Sequence, residues 1–400
     1  MSISFDNTEI AFAYKSDKDL KSAKSLFSTM SYSLLSALGT RFTPFLVKTG
    51  LPIHGLIRKT IFKQFVGGET LEETAGVCNM LKEYQVDAIL DYGVEGKESE
   101  ENFEHATEEF MKVLRFAATQ KNIPFIAIKI TGLARFKLLE KLNEAPRLRS
   151  GVHDNEEQEA EWAKVRQRLM RICDVAKEVN IGVLVDAEES WIQDPIDRIT
   201  MEMMEIYNKE KCLVFNTIQL YRHDRLHFLK MSHDISVAQN FILGVKLVRG
   251  AYMEKERTRA NEQGYPSPIQ KDKEATDLDY NLAVKYCFEN RESISYIVAT
   301  HNELSALKAA EQLQEKGLAH NHPHVHFSQL YGMSDNMTFN LAKDGFSVSK
   351  YLPFGPIREV IPYLMRRAQE NSSVKGQTSR ELSLINKEIS RRKNAIKEIA

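Results

Sequence analysis

Polar side chains stand at the ends of several short apolar segments of this sequence. They are Lys129 after IAI, Asp186 after GVLV, Gln219 after FNTI, Lys246 and Arg249 around Leu-Val, Thr300-His301-Asn302 after IVA, and Tyr351 after SVSK. One lysine or aspartate at such a place is usually half of a structural ion pair. The carboxyl ends of parallel strands, however, meet on one side of a sheet, where so many buried polar groups need mutual pairing or a ligand. The pattern therefore indicates a binding or catalytic site.

A second polar group lies near the C-terminus, in the string YLMRRAQE that covers residues 363–370. On a helix, Arg366 and Glu370 are four residues apart, and Arg367 and Glu370 are three apart, so each pair can interact. On an exposed helix these would be ordinary, weak salt bridges. The alternative is an arginine pair that binds a substrate carboxylate while Glu370 holds the guanidinium in place. The short link from Tyr351 to this helix favours the second interpretation.

The elements that must position these residues are predicted as eight parallel strands separated by helices. The strands are expected at 87–92, 124–130, 181–186, 213–219, 243–249, 294–299, 323–327 and 347–351. They are nearly continuous apolar runs, as expected for strands that are buried on both faces. Eight successive units favour an α/β fold of the (β/α)8 type over a doubly wound sheet. No G-x-G-x-x-G motif follows any of the strands.

We expect three regions along the chain. Residues 1–80 are predicted to form an N-terminal helical arm, residues 81–375 the barrel, and residues 376–400 a helical tail. A charged insertion at 134–165 is expected to form a solvated pair of helices between the second and third strands. The tail carries a stripe of apolar residues that we expect to pack on the barrel exterior: Leu382, Ile385, Ile389 and Ile396.

The composition excludes several classes of protein. The chain has 400 residues, of which 42% are hydrophobic and 27% charged, and its net charge of −1 offers no basic field for nucleic acid. Its four cysteines form no CxxC pair, so we expect reduced, buried thiols rather than disulfides or a zinc knuckle.

The N-terminal residues bear on localisation. Residues 1–14 include Asp6 and Glu9 and no arginine, so we expect neither a signal peptide nor a mitochondrial transit peptide, and a cytoplasmic protein. Residues 34–65 mix apolar and basic side chains. We interpret them as packed helices, with peripheral membrane contact as the alternative. No apolar run reaches the roughly 20 residues that would span a bilayer.

Four strings resemble one protein family. They are KLVRGAYMEKER (246–257), VATHN (298–302), LYGMSDN (330–336) and KYLPFGPIREVIPYLMRRAQENSSV (350–374). They are similar to proline dehydrogenases, in particular to the monofunctional, eukaryotic-type branch. The resemblance begins near Phe62, in FKQFVGGE, and reaches the C-terminal tail.

The resemblance implies a flavoenzyme of proline catabolism. Its fold would be a distorted (β/α)8 barrel that binds FAD, with the last helix over the barrel mouth. Its reaction would transfer a hydride from L-proline to the flavin N5 and give 1-pyrroline-5-carboxylate. Electrons would then pass to a membrane quinone, and a separate pyrroline-5-carboxylate dehydrogenase would complete the pathway.

The resemblance also assigns roles to residues. Lys129, Arg366 and Arg367 would hold the proline carboxylate, Tyr351 and Leu330 would pack on its ring, and Asp186, Tyr252 and Glu370 would orient those groups. The isoalloxazine would lie near Gln219, Lys246, Val248, Arg249, Gly250 and Ala251. The rest of the FAD would contact Thr300, His301 and Asn302, with Lys273 and Thr276 reaching the same part.

The string KLVRGAYM departs from a common bacterial form, RLVKGAYW. Lys246 therefore stands where an arginine near the flavin N5 is usual, and Met253 replaces an aromatic residue. A lysine keeps the positive charge but loses the planar guanidinium fork. The KLVRGAY form is similar to the eukaryotic-type branch, so we interpret the exchange as a difference of lineage.

Other functions would explain parts of the pattern. His320, His322, His324 and His326 suggest a metal site, but no cysteine or carboxylate cluster completes a ligand set, so no metal is expected. Lys129 in an apolar strand could form a Schiff base in a barrel aldolase. A non-catalytic barrel would show gaps in the polar set, which is complete here. Hydroxyproline is a competing substrate, and we expect the Tyr351 ring to crowd it.

Overall fold

Eight parallel strands form a closed barrel in the computed structural model, which describes residues 3–30, 54–93, 98–144, 156–373 and 377–399. The strands are β1 (Asp87–Tyr92), β2 (Phe125–Ile128), β3 (Gly182–Val185), β4 (Val214–Gln219), β5 (Leu243–Val248), β6 (Ile294–Ala299), β7 (Val325–Leu330) and β8 (Val348–Phe354). Each pairs with the next, and β8 pairs with β1, where Tyr351 lies opposite Ile89. The closed order confirms the predicted barrel and excludes a doubly wound sheet.

Helices precede, separate and follow the strands. The α-helices before the barrel are Thr8–Ala11, Asp17–Met30, His54–Ile57, Lys63–Phe65 and Leu71–Glu83. A π-helical turn, Arg58–Phe62, joins the third of them to the fourth. Those between strands are Glu100–Thr119, Phe136–Glu144, Glu156–Val179, Ser190–Tyr207, Arg225–Ala238, Met253–Gln263, Lys273–Glu289, Glu303–Glu315 and Asp335–Lys343. Two more follow β8: the mouth helix (Ile357–Ser373) and the tail helix (Gln377–Ile399).

Three strands differ from the prediction by two or more residues at an end. The strand expected at 124–130 ends at Ile128, because residues Ile130–Gly132 form a 3-10 turn. The strand expected at 323–327 begins at Val325 and continues to Leu330. Residues 319–324 form turns instead, and the His324 Nδ1 lies 2.6 Å from the Arg291 carbonyl oxygen. The eighth strand continues three residues beyond Tyr351, to Phe354, because its pairing with β1 extends that far.

Strand side chains alternate between two cores. Ile89, Ala127, Leu184 and Phe215 pack together inside the barrel with Tyr351. Their neighbours along the strands, such as Leu90, Ile126, Val183 and Val214, belong to the larger core between the strands and the surrounding helices. This alternation directs every second residue of a strand towards the barrel interior.

The N-terminal arm, the mouth helix and the tail helix share a separate core. It includes Phe12 and Phe27 of the arm, Val360 and Leu364 of the mouth helix, and Ile385 of the tail helix. Leu382 and Ile389 pack against it, whereas Ile396 is exposed. The stripe therefore packs mainly on the arm and the mouth helix, and not on the outer helices of the barrel as expected. The beginning of the tail helix also contacts the barrel, through Arg380 and Glu381. An apolar stripe predicts burial but not the partner that covers it.

The charged stretch after β2 contains a packed helix as well as solvated residues. Leu138, Leu139 and Leu142 of the helix Phe136–Glu144 are buried in the larger core. Residues 145–155 lie outside the described part of the chain. From Glu156 the chain forms a helix whose later residues, such as Val165 and Leu169, also belong to that core. The role and limits of the insertion at 134–165 stay a prediction.

Among the described helices, none is long and apolar enough to cross a membrane.

Candidate active site

Asp186 is the centre of an ion-pair cluster inside the carboxyl end of the barrel. It directly follows β3, and its Oδ1 accepts a hydrogen bond from the Lys246 ammonium of β5. Its Oδ2 accepts a hydrogen bond of 2.6 Å from the Tyr351 hydroxyl of β8. The Lys246 Nζ also lies 5.1 Å from the centre of the Tyr351 ring. The structure thus brings three predicted site residues from three strands into direct contact.

Lys129 joins this cluster between two carboxylates. Its Nζ lies 3.6 Å from the Asp186 Oδ2 and 3.6 Å from an Asp91 oxygen at the end of β1. Burial lowers the pKa of Lys129, but the charges of Asp91 and Asp186 outweigh burial and raise it. The ammonium is therefore charged at neutral pH.

The two carboxylates of the cluster differ in acidity. Burial raises the pKa of Asp186, but Lys246 and Lys129 outweigh that effect and lower it below the ordinary value. Burial raises the pKa of Asp91, and the negative charge of Asp186 adds to the increase despite nearby Lys129. Of the two, Asp91 is the one that takes up a proton first, which leaves the cluster with excess positive charge.

A small cavity extends from this cluster to the mouth helix. Its lining includes Asp91 and Lys129 from the barrel, and Tyr363 and Arg366 from the mouth helix. The positive charge of Arg366 also acts on Tyr252, whose pKa is raised by burial and lowered by that charge. Arg366 and Lys129 therefore face the same cavity, and both positive charges act on the Tyr252 hydroxyl.

Arg367 has different neighbours from Arg366. Its side chain is buried, and the guanidinium carbon lies 5.0 Å from the centre of the Tyr363 ring. Burial, together with the positive charge of Arg367, lowers the pKa of His301 to about 3. Arg367 thus lies near the strand end of β6. The side chain of Glu370 lies outside the described part of the chain, so its predicted pairing with the arginines stays a prediction.

Arg249, just after β5, is fixed by three polar partners. Its guanidinium donates to Asp277 at 2.7 Å, to the Thr300 hydroxyl at 2.7 Å and to the Ser305 hydroxyl at 3.0 Å. Asp277 also accepts a 2.5 Å hydrogen bond from Lys273. Two predicted cofactor contacts, Lys273 and Arg249, therefore share one carboxylate. Thr276, another predicted cofactor contact, is buried in the first turn of the helix Lys273–Glu289.

Gly250 follows β5 at a place where the backbone runs close to the Tyr221 ring. Its φ of +138° is a conformation that favours glycine, and a Cβ there would lie 2.5 Å from the Tyr221 ring. Tyr221 itself is buried. Gly250 and Ala251 are exposed at this strand end, and the Tyr221 ring packs against the other side of Gly250.

Glu188 connects the ends of β2, β3 and β4. Its carboxylate accepts hydrogen bonds from the Thr131 amide at 3.1 Å and the Thr131 hydroxyl at 2.6 Å. Its carbonyl oxygen accepts a 2.8 Å hydrogen bond from Gln219, another predicted cofactor contact. Burial raises the pKa of Glu188 to about 7, against the effect of its bonds to Thr131.

The Thr300-His301-Asn302 segment lies between β6 and the helix that follows. Asn302 caps the helix Glu303–Glu315 by accepting a hydrogen bond from the Ser305 amide. The His301 Nδ1 lies 2.9 Å from the Ser334 hydroxyl, which belongs to the loop after β7. In the same loop region, Leu330 packs beside Tyr351 in the barrel interior. The predicted residues of β6 and β7 therefore converge at the same barrel end.

Sequence reasoning missed several residues that hold the site together: Asp91, Glu188, Asp277, Ser305 and Ser334. Asp91 carries the same signal as Lys129 and Asp186, since it follows the apolar run AIL in a predicted strand. Glu188 and Ser334 carry no signal of this kind, because their partners are 57 and 33 residues away in the chain.

The histidines at 320–326 each have a different environment. The His324 Nδ1 lies near the Arg291 carbonyl, and the His326 Nε2 lies 2.6 Å from the Ser349 hydroxyl. Burial lowers the pKa of His326 to about 3. Among the residues that the structure describes, no group of three or more His, Cys, Asp or Glu side chains could hold a metal ion.

Comparisons with known proteins agree with this geometry. A family model described as proline dehydrogenase matches residues 75–380. The carbapenem antibiotics biosynthesis protein CarD of Pectobacterium carotovorum is 33% identical over 82% of this chain and 83% of its own. Proline dehydrogenase 1 of Dictyostelium discoideum is 31% identical over 96% of this chain and 74% of its own length. The hydroxyproline dehydrogenase of Xenopus laevis is 32% identical over 84% and 78%.

A solved structure shows the same fold. The crystal structure of proline utilization A from Bdellovibrio bacteriovorus, inactivated by N-propargylglycine, superimposes with a TM-score of 0.71 over 94% of this chain. The sequences are 20% identical, and this chain spans 39% of the length of that protein. The similarity confirms the barrel architecture.

The comparisons contradict the expected cytoplasmic localisation. The proline dehydrogenases of Dictyostelium discoideum, Homo sapiens and Arabidopsis thaliana to which the chain is similar are all named mitochondrial, which points to mitochondria rather than the cytoplasm. The expectation was wrong because it rested on the composition of residues 1–14 alone. The charges of one short segment do not report on the compartment in which the folded barrel works.

Proposed function

The chain belongs to the proline dehydrogenase family, and from that premise we propose that it oxidises L-proline to 1-pyrroline-5-carboxylate as the first step of proline catabolism. The observation that carries the proposal is the cluster of Lys129, Lys246, Asp186 and Tyr351 beside the cavity lined by Arg366. It joins an anion site to an aromatic ring inside one barrel mouth, which suits a small amino acid with an apolar ring.

The substrate carboxylate is assigned to Lys129, Arg366 and Arg367. Lys129 now balances its charge against Asp91 and Asp186 at 3.6 Å, beyond the distance of a short hydrogen bond. An entering carboxylate can therefore bind the ammonium closely, while Asp91, the weaker acid of the pair, takes up a proton most readily. Arg366 lies across the same cavity and can add a bidentate contact.

Fixing the carboxylate also orients the rest of the substrate. Tyr351 and Leu330 pack together in the barrel interior, and we assign the substrate ring to their faces. The hydroxyl of Tyr351 is held by Asp186, so the ring cannot turn freely. The positive charges around this position favour loss of the proton from the substrate amine, and the oxidation of the C–N bond needs that unprotonated amine.

The residues assigned to the cofactor fit FAD. Gly250 and Ala251 are exposed at the end of β5, with the buried Tyr221 ring packed against Gly250. Arg249 stands beside the Asn302-capped helix N-terminus, and cations and helix N-termini both bind phosphate. Gln219, Lys246, Val248, Arg249, Gly250 and Ala251 would hold the ring system, and Lys273, Thr276, Thr300, His301 and Asn302 the rest. When bound, FAD supplies the hydride acceptor.

The later steps need partners, which we propose from the chemistry. The two electrons taken from proline must leave the protein, and a membrane quinone is the proposed acceptor. Such an acceptor implies peripheral contact with a membrane. The product would be consumed by a separate pyrroline-5-carboxylate dehydrogenase.

A visible absorption spectrum before and after anaerobic addition of L-proline tests the proposal. The purified protein, supplied with FAD, should show flavin absorption bands that bleach with L-proline and persist with D-proline. The variant Lys129→Met should keep the flavin bands but need far more proline for bleaching. Bands that bleach only with a different amino acid would overturn the substrate assignment, and failure to bind flavin would overturn the cofactor assignment.

The remaining alternative is an aldolase that uses Lys129 as a Schiff-base nucleophile. The ion pairs of Lys129 raise its pKa, whereas a Schiff-base lysine must be able to lose its proton. We therefore expect borohydride to trap no carbonyl compound on Lys129. Covalent labelling of Lys129, detected by mass spectrometry, would favour the aldolase.

A further inference from the structure

The tail helix reaches the proposed cofactor site through one buried residue, Glu381. Its carboxylate oxygen accepts a 2.6 Å hydrogen bond from the backbone amide of Ser334. Ser334 lies in the loop between β7 and the helix Asp335–Lys343, and its hydroxyl is 2.9 Å from the His301 Nδ1. Two hydrogen bonds thus connect the tail helix to His301, in addition to the ion pair of 2.9 Å that Arg380 of the same helix makes with Glu303.

Ser334 has a backbone conformation that needs support. Its φ of 51° and ψ of 43° lie in the left-handed region, which is unfavourable for a residue with a Cβ. A serine that begins a helix usually has an extended conformation and bonds an amide of the first turn. Here the hydroxyl is directed to His301 instead, and Glu381 holds the amide. The conformation of Ser334 is therefore tied to both partners.

Lys350 of β8 anchors the same loop. This fully buried residue donates a 2.6 Å hydrogen bond to the Met333 carbonyl and lies 2.9 Å from the Asp335 carboxylate. Tyr14 of the arm donates a 2.8 Å hydrogen bond to the other Asp335 oxygen. Ser334 thus lies between two fixed residues, and Glu381 is the contact that the tail adds.

We propose that Glu381 is a positioning residue for the FAD site. By holding the Ser334 amide, it fixes the hydroxyl that orients the His301 ring against the cofactor. The inference rests on the proposed function, in which His301 contacts FAD. Burying a glutamate in the tail is costly. In this proposal Glu381 offsets that cost by contributing to cofactor binding as well as to the docking of the tail.

Glu388 provides a matched control on the same helix. Its side chain is also fully buried, and it accepts hydrogen bonds from Arg391 and Arg392. Arg392 in turn binds the arm, so Glu388 serves the docking of the tail. If Glu381 only docks the tail, changes at the two glutamates should have the same effect on FAD.

The experiment is a titration of the full-length apoprotein with FAD, followed by quenching of flavin fluorescence. We expect Glu381→Ala to weaken FAD binding roughly tenfold, which lies within the range for the loss of one hydrogen bond. Glu381→Gln should bind FAD nearly as well as the original protein, because its amide oxygen can still accept from Ser334. Glu388→Ala should lower the melting temperature but leave FAD affinity within about twofold of the original.

The variant Ser334→Gly decides the matter if Glu381→Ala does not fold. Glycine fits the left-handed conformation but removes the hydroxyl that contacts His301, so FAD binding should weaken while thermal stability is kept. Unchanged FAD affinity in Ser334→Gly, or an equal loss in Glu388→Ala and Glu381→Ala, overturns the inference. If the unmodified protein itself binds no FAD, the proposed function fails first, and the two failures are thereby distinguished.

Discussion

Lysines and carboxylates at the carboxyl end of the barrel are paired with one another. Buried ions are costly unless they are paired with good geometry, and Asp186 meets this requirement for Lys246 and Lys129 together. A carboxylate ligand must compete with Asp91 and Asp186 for Lys129. Binding should therefore depend on an exchange of partners inside the cluster, in which Asp91 gives up its share of the lysine.

Tyr351 should set the preference for proline over hydroxyproline. Its buried ring lies in the barrel interior beside Leu330. With the substrate ring against these two residues, as proposed, an added hydroxyl group would meet the Tyr351 ring. We expect Tyr351→Ser to reduce the ratio of kcat/KM for L-proline to that for trans-4-hydroxy-L-proline by about tenfold or more, since a few methylene-sized contacts are worth about 1–3 kcal/mol.

Tyr351→Phe is the control for this prediction. It keeps the ring and removes the hydroxyl that donates to Asp186, so kcat/KM should fall for both substrates while their ratio is kept. An unchanged ratio in Tyr351→Ser would show that another residue excludes hydroxyproline.

At the scale of elements, Glu188 ties three strand ends to one another. Its carboxylate accepts hydrogen bonds from Thr131 in the turn after β2, and its carbonyl oxygen accepts one from Gln219 at the end of β4. Because the Glu188 carboxyl group is buried, its protonation is part of the stability of this barrel end. Glu188→Gln keeps an acceptor for the Thr131 amide and removes the titration.

The stability of the protein should depend on pH through Glu188. Burial raises its pKa from an ordinary value of 4.5 to about 7, so between these values the folded protein binds more protons than the unfolded chain. Stability from this group is complete below pH 4.5 and is lost as pH rises through 7. The advantage of the original protein over Glu188→Gln should shrink by about 3 kcal/mol across this range.

Urea unfolding of both proteins at several pH values from 4.5 to 7.5 measures this difference. The subtraction removes the titration of all other groups, provided that the substitution leaves them unchanged. Parallel stability curves for the two proteins would mean that Glu188 keeps an ordinary pKa in the folded state.

The elements were more predictable from sequence than their contacts. Apolar runs such as AILD and GVLV predicted strands because burial on both faces leaves a continuous signal. Lys129, Asp186 and Tyr351 could be expected at one site because parallel strands end together. Which carboxylate meets which lysine depends on side-chain directions across different strands, and the string gives no signal for it. The covering of the tail stripe was mispredicted for the same reason.

At the scale of the whole molecule, the two ends of the chain meet beside the barrel mouth. Phe12 and Phe27 of the arm share a core with Val360 and Leu364 of the mouth helix and Ile385 of the tail helix. The mouth helix carries Arg366 and Arg367, so the arm and the tail together support the element that holds both arginines. This separate core should open locally without unfolding of the barrel.

Arg392 is the residue that most directly joins the two ends. Its guanidinium donates hydrogen bonds of 2.9 Å to the carbonyls of Phe12 and Lys15 and of 2.8 Å to Asp17, and it also binds Glu388. Removing it leaves part-buried acceptors without a donor, at a cost of about 1–3 kcal/mol. In Arg392→Ala we therefore expect faster amide hydrogen exchange in the helices Asp17–Met30 and Gln377–Ile399, with unchanged protection in strands β1–β8.

The variant Arg391→Ala is the control that separates the loss of the Arg392 hydrogen bonds from a general effect of removing a positive charge. Arg391 precedes Arg392, is more exposed and pairs with Glu9 and Glu388, so its loss should change exchange little. Hydrogen-exchange mass spectrometry of the two variants and the original protein resolves the helices from the strands. Exchange that accelerates equally in the helices and in β1–β8 of Arg392→Ala would mean that the two cores unfold as one unit. In that case the arm and tail would be integral to the barrel, and the mouth helix could not loosen while the strands stay folded.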